Sequence, residues 1–213
     1  MLTAVLSTLA LASALLTVRA ASRGPKLHLY IFKPLTAALI ILVALQARQA
    51  TAPPYGRLVV AGLLCSLAGD LFLMLPRDRF VAGLVSFLFA HLCYTAAFAS
   101  GAWRPNVRAA APLAAYGALM VWLLWPGLGR LKAAVLAYVA VILLMAWAAL
   151  CRWLGPEAGG GAAAAAAGAL LFVASDSALA WGRFRGEFKG AQAVVLGTYF
   201  AAQWLIALST RTF

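Results

Sequence analysis

Acidic residues are scarce in this sequence, which has five Asp and Glu residues against 17 Lys and Arg residues among its 213 positions. Histidine is scarcer still, with two residues, and the three cysteines form no CxxC pair. Because a catalytic zinc ion usually needs three protein ligands, often histidines, we expect no metal site and no cofactor. The basic residues form no continuous stripe, which argues against a nucleic-acid partner.

Apolar residues dominate what is present. Hydrophobic residues make up 65% of the chain and charged residues 10%, and the mean hydropathy is +0.95. A water-soluble domain of this size cannot hide so much apolar surface, and the apolar runs do not alternate with the period of a β-strand. We therefore predict an all-α polytopic membrane protein, with one integral membrane domain over residues 1–213.

Eight apolar runs are long enough to cross the hydrocarbon core of a bilayer, which takes about 20 helical residues. Short segments rich in Gly and Pro separate them and leave no room for a soluble domain. The sequence thus predicts a bundle of eight transmembrane helices. The predicted spans are residues 2–18, 29–47, 57–75, 80–99, 109–125, 131–152, 161–182 and 190–208.

Lys and Arg are more numerous in the loops after odd-numbered helices, which hold ten, than on the other side, which holds six. By the positive-inside rule, the odd loops are predicted to be cytoplasmic and both termini to lie outside. The basic excess also favours contact with anionic membrane lipid. We expect a multi-pass integral protein, in the plasma (inner) membrane if the source is bacterial.

Polar residues inside the predicted helices are few, and ionisable groups at such positions usually face protein or water and serve a function. At 1.5 Å per residue, six of these residues lie roughly 10 to 18 Å inside the odd-loop edge, each on a different helix: Lys33, Asp70, His91, Tyr138, Asp176 and Tyr199. A shared depth predicts a polar chamber that opens toward the basic loops. The ionisable residues are Lys33, Asp70, His91 and Asp176, and their uncharged companions are Tyr94, Tyr138, Tyr199 and Gln203.

Two aspartate-containing segments resemble each other: AGDLFLM at 68–74 and ASDSALA at 174–180. Because they fall on the third and seventh helices, they are consistent with two related four-helix halves. The small residue before each Asp would let a neighbouring helix approach closely. The Ala- and Gly-rich tract at 159–169 either forms a similar packing face or reflects compositional bias.

Structural roles for the same residues stay open from the sequence alone. Asp70 and Asp176 could each pair with Lys33 or an arginine and join helices. The Ser66 hydroxyl group, one turn before Asp70, is placed to reach its carboxyl group. His91 could be a satisfied interior histidine rather than a catalyst.

Five blocks, in order over residues 32–206, resemble the signature blocks of the YhhN family, the bacterial and animal transmembrane lysoplasmalogenases. The resemblance implies an eight-helix membrane hydrolase that acts on a lysophospholipid. Its reaction would cleave the sn-1 vinyl ether bond of a lysoplasmalogen, giving a fatty aldehyde and glycerophosphoethanolamine or glycerophosphocholine. The blocks are FKPLTAAL (32–39), AGDLFLML (68–75), FVAGLVSFLFAHLCYTAAF (80–98), GALLFVASDSALAWGRF (168–184) and LGTYFAAQWLI (196–206).

Most of the candidate site residues follow from this resemblance, and Tyr138 is added because of its depth. The catalytic candidates are Asp70, Asp176, His91 and Tyr199. The substrate-binding candidates are Lys33, Tyr94, Tyr138, Ser175 and Gln203.

Enol ether hydrolysis begins with protonation of the β-carbon, which gives an oxocarbenium ion that water then attacks. It needs an acid that keeps its proton, as a carboxyl group does in apolar surroundings, and a negative neighbour for the cation. We expect Asp70 and Asp176 to share these tasks, with Asp176 favoured as the acid by its more apolar flank. His91 or Tyr199 would orient the water, Lys33 would hold the phosphate, and an apolar channel deeper in the bundle would take the alkenyl chain.

Two alternatives remain. Intramembrane Asp, Lys and His residues also form ion relays, so a small ion-coupled transporter or a lipid-binding membrane protein is the second reading of the pattern. In a purely structural bundle, by contrast, losing either Asp would lower stability and nothing else.

Overall fold

The structure, a computed structural model, describes residues 1–47, 53–101, 104–156 and 158–211. These residues form eight long α-helices and two short 3-10 turns, with no strand among them. All eight helices are long and apolar enough to span a bilayer, which confirms the predicted architecture. The helices are α1 (Leu2–Arg23), α2 (Lys26–Ala47), α3 (Pro53–Met74), α4 (Phe80–Ala99), α5 (Val107–Leu124), α6 (Lys132–Trp153), α7 (Gly160–Phe184) and α8 (Ala191–Ser209).

The observed helix ends lie close to the predicted ones, and the largest difference is at the end of α1. This helix continues to Arg23 instead of ending at residue 18. The prediction stopped where the apolar run meets its first basic residue. A helix, however, continues through the polar interface until a backbone signal ends it, here Gly24 followed by Pro25.

Consecutive helices pack in pairs, with α1 on α2, α3 on α4, and α7 on α8. The helix α4 also packs on α6, and α6 on α7, while α8 closes the bundle against α1 and α2. The helix α5 lies at the periphery, mainly against α6. This arrangement places α3 and α7, the two helices with an intramembrane aspartate, around one central space.

The Ala- and Gly-rich start of α7 is a packing face, as the first of the two interpretations held. Ala162, Ala165 and Ala169 are fully buried. A Cβ atom added at Gly168 would lie 2.9 Å from the carbonyl oxygen of Ala202 and 2.8 Å from the Ile206 side chain, both on α8. The backbones of α7 and α8 can therefore approach this closely only with glycine at this position.

We expect Gly168→Ala to lower the free energy of unfolding by about 1–3 kcal/mol, because the added methyl group meets the backbone of α8. Gly182 in the same helix has nothing within 4 Å of its Cβ position. Gly182→Ala is thus the matched control, and it should be neutral or stabilising by up to about 1 kcal/mol. Thermal unfolding in detergent measures both variants, and equal unfolding temperatures would contradict the close approach.

Candidate active site

Asp70 of α3 is held by a cation and a phenol from two other helices. The Lys33 ammonium Nζ of α2 lies 2.9 Å from Asp70 Oδ1. The Tyr199 hydroxyl of α8 donates to Asp70 Oδ2 at 2.7 Å. Asp70 is 1% exposed and Lys33 8% exposed, so this ion pair is buried. Both oxygens of this carboxyl group are therefore engaged, one of them by a positive charge.

Asp176 of α7 has a different set of partners. The Tyr138 hydroxyl of α6 donates a hydrogen bond to Asp176 Oδ2. His91 Nε2 of α4 lies 3.2 Å from the same oxygen and 2.9 Å from the Tyr138 hydroxyl. Within the described part of the chain no Lys or Arg pairs with Asp176. Its side chain is 14% exposed, and Oδ1 is the oxygen left without a protein partner there.

The hydrogen bonds around His91 indicate which of its nitrogens carries the proton. The ring is fully buried, and Nδ1 has no hydrogen-bond partner among the described residues. A charged imidazolium would leave a buried N–H donor at Nδ1 unpaired, which is costly, whereas the neutral Nε2–H tautomer leaves only a lone pair there. The neutral Nε2–H tautomer, which would donate toward the Tyr138 and Asp176 oxygens, is thus the form that leaves no buried donor unpaired at Nδ1.

The two carboxyl clusters correspond to each other in the fold. Asp70 on α3 has one partner on the preceding helix, α2, and the other on α8. Asp176 on α7 likewise has one partner on the preceding helix, α6, and the other on α4. Every position has its counterpart four helices away in the chain. This correspondence is consistent with two related four-helix halves, which would share one orientation in the membrane because each half has an even number of helices.

Both aspartates line one large polar cavity that opens at the odd-loop end of the bundle, as the shared depths predicted. The cavity contains about 2310 Å³ of unfilled space, counting its open mouth. Lys33, Tyr199 and Ser175 also line it. Six charged residues line its mouth: Lys26, Arg77, Asp78, Arg79, Arg183 and Glu187.

An ion pair joins two sides of the cavity mouth. Arg183 at the end of α7 donates to Asp78 Oδ2 at 2.6 Å, and its guanidinium lies 4.7 Å from the centroid of the Phe80 ring. The hydrogen bond from Arg183, with a second from the Phe80 N–H, holds the pKa of the exposed Asp78 carboxyl group below its usual value. Since the folded-state pKa is lowered, the link is present at neutral pH and is lost only as the pH falls through that lowered value.

His91 and Tyr138 contact Asp176 but do not line the cavity, and three further predicted residues lie outside it or have their polar groups engaged elsewhere. The Tyr94 hydroxyl donates to Gln203 Oε1 at 2.9 Å, in a buried position behind the cavity wall. The Ser175 hydroxyl donates to the Val195 carbonyl of α8 at 3.0 Å and so joins two helices. Ser66 was expected to reach Asp70, but its hydroxyl lies 3.4 Å from the Tyr94 hydroxyl instead.

An aromatic wall that the sequence analysis did not single out connects the two clusters. The Phe172 ring centroid is 4.7 Å from that of His91 and 5.5 Å from that of Tyr199. Phe87 packs edge-on against both Phe172 and Tyr199. Phe172 lies one helical turn before Asp176, so the spacing on α7 could have placed its ring on the same helix face as the carboxyl group. A Cβ atom at Gly69, next to Asp70, would collide with Phe87, as expected of a small residue there.

No group of three His, Cys, Asp or Glu side chains comes together in the described residues in a way that could hold a metal ion. The donors available around the two aspartates are instead an ammonium, two phenols and an imidazole. Such groups can hold one carboxyl group ionised and supply the other with neutral hydrogen bonds. The arrangement can therefore carry out proton transfer.

Comparison with known proteins identifies the family. A model of the YhhN family matches residues 28–210. The chain is 34% identical over 203 residues to an uncharacterized membrane protein YhhN of Escherichia coli, covering 92% of this chain and 94% of that protein.

Two animal relatives carry an enzyme's name. Lysoplasmalogenase TMEM86B of Sus scrofa is 37% identical over 157 residues, covering 73% of this chain and 64% of that protein. Lysoplasmalogenase TMEM86A of Homo sapiens is 33% identical over 162 residues, covering 74% and 67%. No solved structure matches the chain. The eight spans and these matches together show that the chain is an integral, multi-pass membrane protein of the YhhN family.

Proposed function

We propose that the chain is a membrane hydrolase that cleaves the sn-1 vinyl ether bond of lysoplasmalogens. The products would be a fatty aldehyde and glycerophosphoethanolamine or glycerophosphocholine. The observation that carries the proposal is a pair of aspartates that face one cavity with contrasting partners, Asp70 with a lysine and Asp176 with a tyrosine and a histidine. The names of the two animal relatives support the same reaction.

Asp176 acts as the general acid in this proposal. Its partners Tyr138 and His91 both approach Oδ2 as neutral donors, so a proton on Oδ1 leaves every neighbour satisfied. Oδ1 is also the oxygen without a protein partner. The proton passes from Oδ1 to the β-carbon of the vinyl ether, the double bond becomes a single bond, and an oxocarbenium ion forms at the α-carbon.

Asp70 acts as the carboxylate. Lys33 keeps it ionised, since a neutral Asp70 would leave a buried ammonium group without a counter-charge. Its negative charge stabilises the oxocarbenium ion and takes a proton from the water that attacks the α-carbon. The hemiacetal then gives its hydroxyl proton to the Asp176 carboxylate, the bond to the glycerol oxygen breaks, and that oxygen takes up the proton held by Asp70. One water molecule is consumed, and both aspartates return to their starting states.

The polar head of the substrate would lie at the cavity mouth. Lys33 was expected to bind the phosphate, but its charge is already paired with Asp70. Lys26, Arg77 and Arg79 line the mouth and supply positive charge where a phosphate would lie. We therefore assign phosphate binding to the mouth, and to Lys33 the task of keeping Asp70 ionised.

The direct test is aldehyde release from a lysoplasmalogen by the purified protein in detergent, with alkyl ether and acyl lysolipids as comparison substrates. We expect turnover of the vinyl ether only, because the β-carbon of an alkyl ether is saturated and cannot accept a proton, and because ester hydrolysis follows a different route. Hydrolysis of the acyl lysolipid alone, or of none of the three, would contradict the proposal.

A transporter is the second candidate, because a buried Lys–Asp ion pair in a water-accessible cavity and two related halves are features of ion-coupled carriers. Transport needs a sealed membrane, so detergent separates the two functions. A protein that only transports would release no aldehyde there.

A further inference from the structure

A narrow apolar slot lies beside the polar cavity, on the opposite side of Asp176. It contains about 740 Å³ of unfilled space, counting its open side. Most of its wall is aliphatic or aromatic, with residues from α4, α5, α6 and α7 such as Leu84, Met120, Val139 and Ala180. Counted along α6 from Val135 to Leu143, it is roughly 12 Å long.

Apart from Oδ1 of Asp176, the few polar groups on the slot wall are already satisfied by protein. The Tyr116 hydroxyl of α5 donates to Ser177 Oγ at 2.7 Å, and Ser177 donates to the Val173 carbonyl at 2.7 Å. Tyr138 donates to Asp176. A ligand in this slot would therefore meet a hydrocarbon surface, and water there would find few free partners.

The slot and the polar cavity meet at Asp176. This residue lines both spaces, together with apolar residues such as Leu73, Phe87 and Leu179. A molecule with a polar head and one long apolar chain could place the head in the cavity and the chain in the slot. The bond where head and chain join would then lie at the carboxyl group of Asp176.

Judged by the packing of the helices that line it, the slot is least enclosed between α4 and α5. These two helices have at most marginal contact in the described part of the chain, whereas α5 packs on α6. Leu84 on α4 and Met120 on α5 line the slot from its two sides. Hydrocarbon can pass between such residues from the lipid without any polar group being desolvated.

We infer that this slot binds the single hydrocarbon chain of the substrate and admits it sideways from the bilayer between α4 and α5. The identity of the polar head rests on the proposed function, but the chain site does not. One slot holds one chain, so the site selects lysolipids over lipids with two chains. The chain lies beside the carboxyl pair and in the same leaflet, rather than in a channel deeper in the bundle.

The first test does not depend on catalysis. A lysolipid with a hexadecyl ether chain is used that carries a photoreactive diazirine at mid-chain, because the whole extended chain is longer than the slot. It is bound to the full-length protein and irradiated, and labelled peptides are identified by mass spectrometry. We expect labels on α4, α5 and α6 residues that line the slot. Labels confined to other helices would overturn the inference. So would the absence of labels, or labels that an excess of hexadecyl lysolipid without the diazirine does not reduce.

The second test narrows the slot. Ala180 lines it, so Ala180→Phe should reduce kcat/KM for a hexadecenyl substrate by about fourfold for each methylene it excludes. An octenyl substrate should be affected much less. Ala174, exposed on the same helix and outside both spaces, provides the matched control Ala174→Phe, with an unchanged chain-length profile.

The two tests separate this inference from the proposed function. If the wild type releases no aldehyde but the diazirine labels the slot, the reaction is wrong and the chain site stands. If aldehyde is released while labels fall elsewhere and Ala180→Phe leaves the chain-length profile unchanged, the reaction stands and the chain site is wrong.

Discussion

Asp176→Asn is expected to abolish vinyl ether hydrolysis, with a loss of at least about 10²–10⁴-fold in kcat. An asparagine can accept the hydrogen bond from Tyr138, so the network is largely kept, but its amide cannot protonate a carbon atom. The rate of aldehyde release in detergent measures the effect. Binding of a non-hydrolysable alkyl ether lysolipid should persist, which distinguishes lost chemistry from lost folding. Full activity of this variant would end the assignment of the acid.

Asp70→Asn should be equally inactive but also less stable, and this difference belongs to the same prediction. Removing one member of a buried ion pair leaves the Lys33 ammonium uncompensated, a loss of about 3–5 kcal/mol. The double variant Asp70→Asn with Lys33→Met should recover much of the unfolding temperature and none of the activity. If Asp70 were only a structural residue, the stabilised double variant would be active.

Tyr138→Lys is expected to inactivate the protein more severely than Tyr138→Phe. The lysine would give Asp176 the kind of partner that Asp70 has, so both carboxyl groups would be ionised and the acid would be lost, at about 10²-fold or more in kcat. The phenylalanine removes one hydrogen bond from Asp176, worth about 1 kcal/mol, and should cost roughly fivefold. A lysine variant as active as the phenylalanine variant would contradict the need for contrasting partners.

The helices could be predicted from the sequence because the bilayer sets their length and composition. Each span needs only an apolar run of sufficient length, and neighbouring helices do not alter that requirement. The predicted ends differ most where a helix continues beyond the hydrocarbon core, as α1 does up to Arg23.

The depth of the polar residues was predictable for the same reason, but their partners were not. Depth follows from a count along one helix, whereas a hydrogen bond depends on how two helices are rotated against each other. Ser66 illustrates this, because it lies one turn from Asp70 and yet contacts Tyr94 on the neighbouring helix. Lys33 illustrates it too, since nothing in its own segment showed that Asp70 would be its partner.

The apolar side of the site carried the weakest sequence signal. Phe87 and Phe172 resemble any other core residues of a membrane helix, and the slot between α4 and α5 arises from three-dimensional packing. The similarity of the two aspartate segments, by contrast, was readable in the sequence. The structure adds that the partners of the two carboxyl groups also correspond, and that they differ in charge.

The claim that Asp176 is protonated while Asp70 is ionised is tested most directly by infrared spectroscopy of the purified protein at neutral pH. A protonated carboxylic acid has a C=O stretching band that a carboxylate lacks. We predict that the wild type shows this band, that Asp176→Asn removes it, and that Asp70→Asn retains it. A band that disappears in Asp70→Asn and persists in Asp176→Asn would contradict the account.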